Sequence, residues 1–552
     1  MYKKILALVI NFIFVFPNSS KGLVGYDWSN HFGYAVVDEK VMWNQDWNAG
    51  PFFFDGIWSV NPGLMGPNIK RMFLNNILDS SKFENDVTST NFDYTQGDFL
   101  QDELSVSLKY FKPNNDFLKI NGFKRSYAGM FNQYTEYGTI PKPIHQTYTM
   151  HLESKNEREK IGIALGYFNT LSALPADKEI MNKATYDSRI SSNNIFWSRN
   201  NDDISYGLNL NHYLQRFCSD YNKIDTIEIN DEDHTDSFLS GIRYLNREKR
   251  EFFFNLNKFL KLKLSFNLEI NSRGVKELDV SSSRWSKVLF GVENNNGLFL
   301  KSGFVSFKSH NRIVYDLVYN FNKKRFHLGF YSKKDAFPSH PYFKINNTSL
   351  ESISFSSIHK AKLKINNSNF KNSTWISYNV YEGLLFIEEN KTYEKVINSS
   401  FGNQMDWFLS KSYELSIKYT LNQTPNYLND GVKHKFYFSN NFYKSTFNGA
   451  LDLSLNMTLT GWVDRKPSWY LHLVESVPIQ IHNESTLNDI WFLDLSISAK
   501  VSSFNIKYKW KNFSDYMQRL GYYKHTNSLF FHPMMPELRS QNSLKITWEF
   551  LD

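Results

Sequence analysis

The stretch Ser543-Leu-Lys-Ile-Thr-Trp-Glu-Phe-Leu-Asp552 decides the fold. Leu544, Ile546, Trp548 and Phe550 are apolar, and Ser543, Lys545, Thr547 and Glu549 between them are polar. Side chains alternate across an extended strand, so this segment has one apolar face and one wet face. A single strand of this kind is common. Here the pattern recurs throughout residues 101–552, behind an export leader. That combination predicts an all-β chain: a large antiparallel transmembrane β-barrel of about 22 strands, in a range of roughly 16–24.

Working upstream, Phe504, Ile506, Tyr508 and Trp510 alternate with Asn505, Lys507 and Lys509, and Leu493–Val501 alternates with Asp494, Ser496, Ser498 and Lys500. The runs Leu451–Thr460, Tyr413–Leu421, Leu262–Asn271 and Glu103–Tyr110 read the same way. The longer runs match the roughly 9–11 residues that cross a bilayer at a tilt near 45°, whereas soluble strands are nearer five or six residues. Glu269, Lys418 and Asp494 fall on the polar face, where a dry core would penalise them and a watery lumen accepts them. Asn294–Gly297, Asn322–Arg325 and Val501–Ser503 read as short periplasmic turns. Asn169–Ser191, Cys218–Thr235, Phe337–Ser349 and Trp462–Asp489 read as outer loops. Closure removes strand edges that lipid cannot satisfy. No internal repeat of fixed period is present, which weighs against propellers and solenoids.

Composition agrees. Aromatic residues make up 17% of 552 residues, high for a soluble protein and suited to lipid-facing strands with aromatic girdles. Mean hydropathy is −0.47, as expected when only alternate strand residues meet lipid. No apolar run after the leader reaches the roughly 18 residues of a membrane helix. The net charge of +8 is dispersed along strands, as at Lys507, Lys509 and Lys511, so it does not form the basic module of a nucleic-acid binder. It fits better with a modest preference for anionic solutes or with contact to anionic lipid heads. The lone Cys218 excludes an intrachain disulfide and any multi-cysteine metal site.

Residues 1–20 have a basic start and an apolar stretch of about a dozen residues, the form of a signal peptide. Residues 21–100 carry Trp28, Trp43, Trp47 and Trp58, the turn-rich Asn61–Pro67 and an expected short helix around Ile69–Leu78. They are expected to form a periplasmic or lumenal segment, with room for a first strand or two, ahead of a barrel over residues 101–552.

No His-Glu-x-x-His, Gly-x-Ser-x-Gly or phosphate loop occurs. His310, His327, His434, His472 and His482 are dispersed and read as lumen, rim or loop residues. Asp231, Glu232 and Asp233, with Glu228, form an acidic loop better read as solvated than as a cation site. No catalytic, cofactor-binding or metal-ligating residue is assigned, and no cofactor or enzyme activity is expected.

Asp489–Asp552 resembles the last strands of TonB-dependent receptors and related porin-like barrels of Bacteroidota-like Gram-negative bacteria. The matching elements are Phe492–Val501, the aromatic-Asn pair in Lys511-Asn512-Phe513, Tyr522-Tyr523, His532-Pro-Met-Met-Pro536 and the closing Trp548-Glu549-Phe550. The resemblance covers about the last 65 residues. It implies a receptor-type barrel in the outer membrane, with membrane lipids as surroundings and the barrel-assembly machinery as a partner of the C-terminal strand. The stretch before the barrel is too short for the family's standard plug, so energy-coupled uptake is not implied. The leading expectation is passive or facilitated passage of a solute through a polar lumen. The alternative is an accessory barrel that binds a surface lipoprotein or a secretion or assembly component and conducts little. A third reading is a rim enzyme acting on lipid or peptide. No nucleic-acid partner is expected.

Overall fold

The computed structural model describes most of residues 86–551, together with three short strands, Gly22–Gly25, Gly33–Val37 and Lys40–Trp43. The larger intervals outside the description are 1–21, 44–85, 127–143, 174–184, 221–240, 339–352, 424–431 and 523–538. The expected leader, the helix around Ile69–Leu78, the acidic loop with Glu228, and His532–Pro536 all lie outside the described residues.

Among the described residues, 22 strands close into one antiparallel barrel. In chain order they are β1 (Val87–Gly97), β2 (Gln101–Phe111), β3 (Phe117–Ser126), β4 (Ile144–Lys155), β5 (Glu159–Ala173), β6 (Thr185–Asn200), β7 (Ile204–Asp220), β8 (Gly241–Phe259), β9 (Leu262–Lys276), β10 (Val280–Asn294) and β11 (Leu298–Phe307). They continue as β12 (His310–Lys323), β13 (Phe326–Pro338), β14 (Ile353–Asn366), β15 (Phe370–Glu382), β16 (Val396–Ser410), β17 (Tyr413–Asn422), β18 (Val432–Thr446), β19 (Leu451–Arg465), β20 (Ile490–Val501), β21 (Phe504–Lys511) and β22 (Gln541–Leu551). Each strand pairs with its sequence neighbours, and β22 pairs with β1 from Ser543↔Gly97 to Leu551↔Ser89. β1 falls ahead of residue 101, inside the stretch read as having room for a first strand.

The connections differ at the two ends. The ten that follow even-numbered strands are two to five residues long. Those that follow odd-numbered strands range from two residues to the 29 between β21 and β22. Outer-membrane barrels keep short turns on the periplasmic side and long loops outside. The strand count is even, so the chain enters β1 and leaves β22 at the short-turn end.

The apolar register faces outward. Leu104, Val106, Ile120, Ile195, Phe290, Leu300, Ile376, Leu455, Ile497 and Leu544 are exposed, while polar residues of the other register turn inward. For a soluble protein such a belt of apolar surface would drive aggregation; hydrocarbon accepts it. Aromatic groups mark both margins of the belt. At the turn end, Trp548 lies 6.2 Å from Phe504 and 4.4 Å from Phe550 between ring centroids. At the loop end, Phe436 packs 5.1 Å from Tyr419 and 5.5 Å from Trp491, and the Tyr419 hydroxyl meets His434 Nδ1 at 2.9 Å.

The sequence-predicted turns at 294–297, 322–325 and 501–503 join β10–β11, β12–β13 and β20–β21. The four expected loops fall at connections of the opposite end, 174–184, 221–240, 339–352 and 466–489, of which the first and last are narrower than the sequence suggests. β5 and β6 run into the first from either side, to Ala173 and from Thr185, and β7 runs into the second as far as Asp220. The hairpin of β11 and β12 is short, and the end of β13 reaches across it to β10. This fold in the wall encloses a small apolar core of Trp285, Val305, Phe307, Val314, Ala336 and Ile353 at the loop-side mouth.

The aromatic-Asn pair near the C-terminus has a defined local role. Asn512 takes a left-handed conformation (φ 49°) that ends β21 and starts α1 (Phe513–Arg519). Its backbone N–H donates to Asp494 at 2.8 Å. Asn tolerates this conformation better than most residues because its short side chain bonds locally, here accepting from Ser514 at 2.9 Å. Phe513 and Tyr516 of α1 then pack on Trp510, at 4.6 and 4.7 Å.

Candidate functional site

The inner face of the barrel is the candidate site. Strand alternation alone places Asp93, Glu153, Lys249, Glu269, Lys287, Asp335, Lys418, Asp494 and Lys545 on it. Around β4–β13 its charges neutralise one another. Lys160 Nζ lies 2.6 Å from Glu153, Lys249 lies 3.3 Å from Glu269, and Asn267 donates to Glu251 at 2.8 Å. Asp335 receives Lys287 at 2.9 Å and Lys333 at 3.5 Å. Buried charges persist in a wall only when paired and hydrogen-bonded, and these are.

The closing seam is tied in the same way. Asp93 on β1 accepts from Thr547 at 2.5 Å and pairs with Lys545 at 3.2 Å, both on β22. Asp98 accepts the Asn542 backbone N–H at 2.7 Å, and Gln541 donates to Gln101 at 2.8 Å. These contacts join residues more than 400 positions apart and fix the register of the last strand against the first.

The sector β14–β17 is rich in lysine, as is the stretch of β21 with Lys507, Lys509 and Lys511. Lys360, Lys362 and Lys364 occupy successive inward positions of β14, with Ala361 and Leu363 turned to the other face. Across the ladder they meet Ser377, Trp375 and Ser373 of β15. Lys371 of β15 and Lys418 of β17 share this inner register. The carboxylates on it are Asp406, which accepts from Gln404 at 3.1 Å and from Ser416, and Glu414. Five lysines thus stand against two acids.

Trp375 is the centre of the sector. Its ring is only 5% exposed, with Lys362 Nζ 5.6 Å and Lys418 Nζ 5.4 Å from its centroid. It lies flat over Gly402 of β16, where an added Cβ would come within 2.1 Å of the indole. Only glycine lets the indole sit that close to the wall. Gly402→Val is therefore expected to tip the ring off the wall and lower the barrel's unfolding free energy by about 1–3 kcal/mol, the range of overpacking. The check is the denaturant midpoint of tryptophan fluorescence in detergent, with Gly402→Ala giving a smaller shift in the same direction. The Trp375 Nε1–H and the Ser373 hydroxyl are buried without a hydrogen-bond partner.

The dispersed histidines do not converge. His310 sits at the β11–β12 turn beside Ser309, His327 lies on the inner register of β13 bonded to Asn322, and His434 is at the outer rim. His472 lies in a short hairpin of the β19–β20 loop, and His482 is outside the described residues. No group of three or more His, Cys, Asp or Glu side chains suited to a metal occurs among the described residues. The lysine sector was legible in Lys360-Ala-Lys-Leu-Lys364, and Trp375 betrays itself as an aromatic in a polar register (Lys371, Ser373, Ser377). What the sequence does not show is that they are adjacent.

No family model matches the chain, and a search of curated proteins finds no match. Solved structures do match in fold. A variant of the ferric enterobactin receptor PfeA of Pseudomonas aeruginosa superposes with a TM-score of 0.63 at 10% identity, over 84% of this chain and 80% of that one. The siderophore receptor PirA of Acinetobacter baumannii gives 0.60 at 9% identity, over 85% and 81%. The FrpB iron transporter of Neisseria meningitidis gives 0.60 at 9%, over 86% and 84%. An identity this low carries the architecture and not the cargo. Wall chemistry, strand count and these likenesses agree on one fold: a closed 22-strand β-barrel of the architecture seen in these receptors, with an apolar outer face suited to a bilayer.

Proposed function

We propose that this barrel is a solute pathway through the outer membrane, working by passive or facilitated diffusion. The observation that carries the reading is the closed 22-strand wall with an apolar outer and an ionic inner face. A water-filled lumen is the setting in which that many inward carboxylates and ammoniums are tolerated. The receptor and transporter names of the fold neighbours support a transport role. β1 begins at the short-turn end, which this reading takes as the periplasmic side. The aromatic end of β22 is the segment the assembly machinery reads.

Reconstitution of the full chain in planar bilayers is expected to give stepwise conductance, and proteoliposomes are expected to swell faster in small sugars than empty vesicles. A folded, heat-modifiable barrel that gives neither signal overturns the pathway. If a lipoprotein also co-purifies in fixed ratio, the accessory reading takes its place.

A further inference from the structure

The outer face carries a cleft where the wall folds. We propose that this cleft, at the loop-side edge of the apolar belt between β12 and β14, binds a membrane lipid through the phosphate of an anionic head group. It requires a barrel seated in a bilayer and not an open lumen.

The cleft exists because the tops of β11 and β12 leave the ring. Their hairpin turns at Lys308 and Ser309, while β10 and β13 meet behind it, where Lys287 Nζ reaches Asp335 at 2.9 Å. The lumenal register of the hairpin, Val305, Phe307 and Val314, therefore packs against the outward register of β13 and β14, Ala336, Ile353 and Phe355. Arg312 belongs to the same register of β12 as Val314, and its guanidinium lies 5.4 Å from the Phe355 centroid. Lys334, outward on β13, brings Nζ to 5.2 Å from that ring. Two cations that start on opposite faces of the wall thus converge on one aromatic side chain.

Three features give the cleft its ligand. The first is charge. Among the described residues neither Arg312 nor Lys334 forms an ion pair, and the Phe355 ring is the contact they share. A ring face attracts a cation but offers no oxygen to its N–H donors. An oxyanion supplies both charge and acceptors.

The second is height. Ile313, beside Arg312, is 72% exposed on the outward face, and Phe330, Ile376 and Leu363 carry the apolar surface on toward the turn end. The cations stand where hydrocarbon ends, the level of lipid head groups.

The third is the polar group beneath them. Ser332 Oγ and His359 Nδ1, on the outward register of β13 and β14, lie 2.9 Å apart, and the Ser332 hydroxyl donates to the Tyr315 hydroxyl at 3.4 Å. Tyr378 flanks the imidazole, with ring centroids 6.3 Å apart. Hydroxyls and an imidazole at the upper margin of the belt suit the glycerol and ester oxygens that follow a head group into the bilayer.

The test is native mass spectrometry of the detergent-solubilised full chain titrated with dioleoyl phosphatidic acid, with dioleoyl phosphatidylcholine as the zwitterionic control. Phosphatidic acid is expected to bind about tenfold tighter or more, as two cations at the membrane surface imply. Arg312→Gln/Lys334→Gln should abolish that preference. Glu382 stands opposite Phe355 in the β14–β15 ladder, so Glu382→Gln, which removes a negative charge, should not lower it. Arg189 and Arg216 oppose each other on the outward register of β6 and β7, away from the cleft. Arg189→Gln/Arg216→Gln should change the preference by less than about twofold, since it leaves the cleft intact. Heat-modifiability on gels confirms that each variant still folds. The site is overturned by equal binding of the two lipids, by a preference that survives in the folded cleft variant, by weaker binding after Glu382→Gln, or by an equal loss in the β6–β7 variant. A dimer mass that disappears with the cleft variant gives the cleft to a second copy and overturns the lipid as well. The titration needs no open pore, so a barrel without conductance loses the pathway and keeps the lipid site, and a conducting barrel without lipid preference does the reverse.

Discussion

A chain truncated after Arg539 will not form a barrel. The deletion removes β22, the strand that pairs with β21 from Lys511↔Gln541 to Phe504↔Trp548 and with β1 along the seam. Without it β21 and β1 each present an open edge to hydrocarbon. Every unsatisfied backbone group there costs several kcal/mol, so the loss far exceeds the roughly 5–15 kcal/mol by which folded domains are stable. The expected result is loss of the compact, heat-modifiable band on unheated gels and of the β signal in circular dichroism after refolding into detergent. A truncated chain that keeps both would show that another strand seals the wall. A milder version is Asp93→Ala, which leaves the strand and removes the acceptor for Lys545 and Thr547. It should only lower the unfolding midpoint, because the backbone ladder still closes.

The second large effect is expected on the opposite face. Phe290 is 60% exposed and lies in the middle of the apolar belt, next to Phe266 at 5.2 Å, which in turn contacts Phe252 at 6.4 Å. Val292 and Val288 extend the same outward face on either side of it. Phe290→Arg should destabilise the folded barrel by about 2–4 kcal/mol, the range for a cation near the bilayer midplane. The measurement is reversible urea unfolding in phospholipid vesicles. Arg250, also outward but on the loop side beside Glu248, supplies the control. Arg250→Phe there should change stability little, because Arg250 already carries a charge paired with Glu248 at the loop-side edge of the belt. Equal effects at the two positions would mean that the belt does not face lipid.

Gly402→Val probes the inner face, and the variants above probe the seam and the outer face. Together they separate a wall that fails to close from a wall that closes around an altered lumen.

The alternation of Leu544 with Lys545, or of Leu451 with Asp452, is written in single residues. A strand has a period of two, and lipid on one side and water on the other impose opposite demands at each step. Fold class, sidedness of each strand and the short turns at 294–297 and 501–503 follow from that local rule. The rule stops where the environment stops differing. Where β5, β6 and β7 run on past the apolar belt, alternation fades, and the sequence reads those ends as loop.

Partnership between distant strands was likewise beyond the sequence. That Asp93 meets Lys545, that Lys287 reaches Asp335 over a short hairpin, and that Trp375 lies between Lys362 and Lys418 on a glycine floor depends on closure and register. Those are fixed by the whole circumference at once. The chain by itself determined which face of each strand is wet. Only the closed tertiary structure decided which wet residues stand together, because neighbours around a barrel are set by hydrogen-bonded register and not by distance along the sequence.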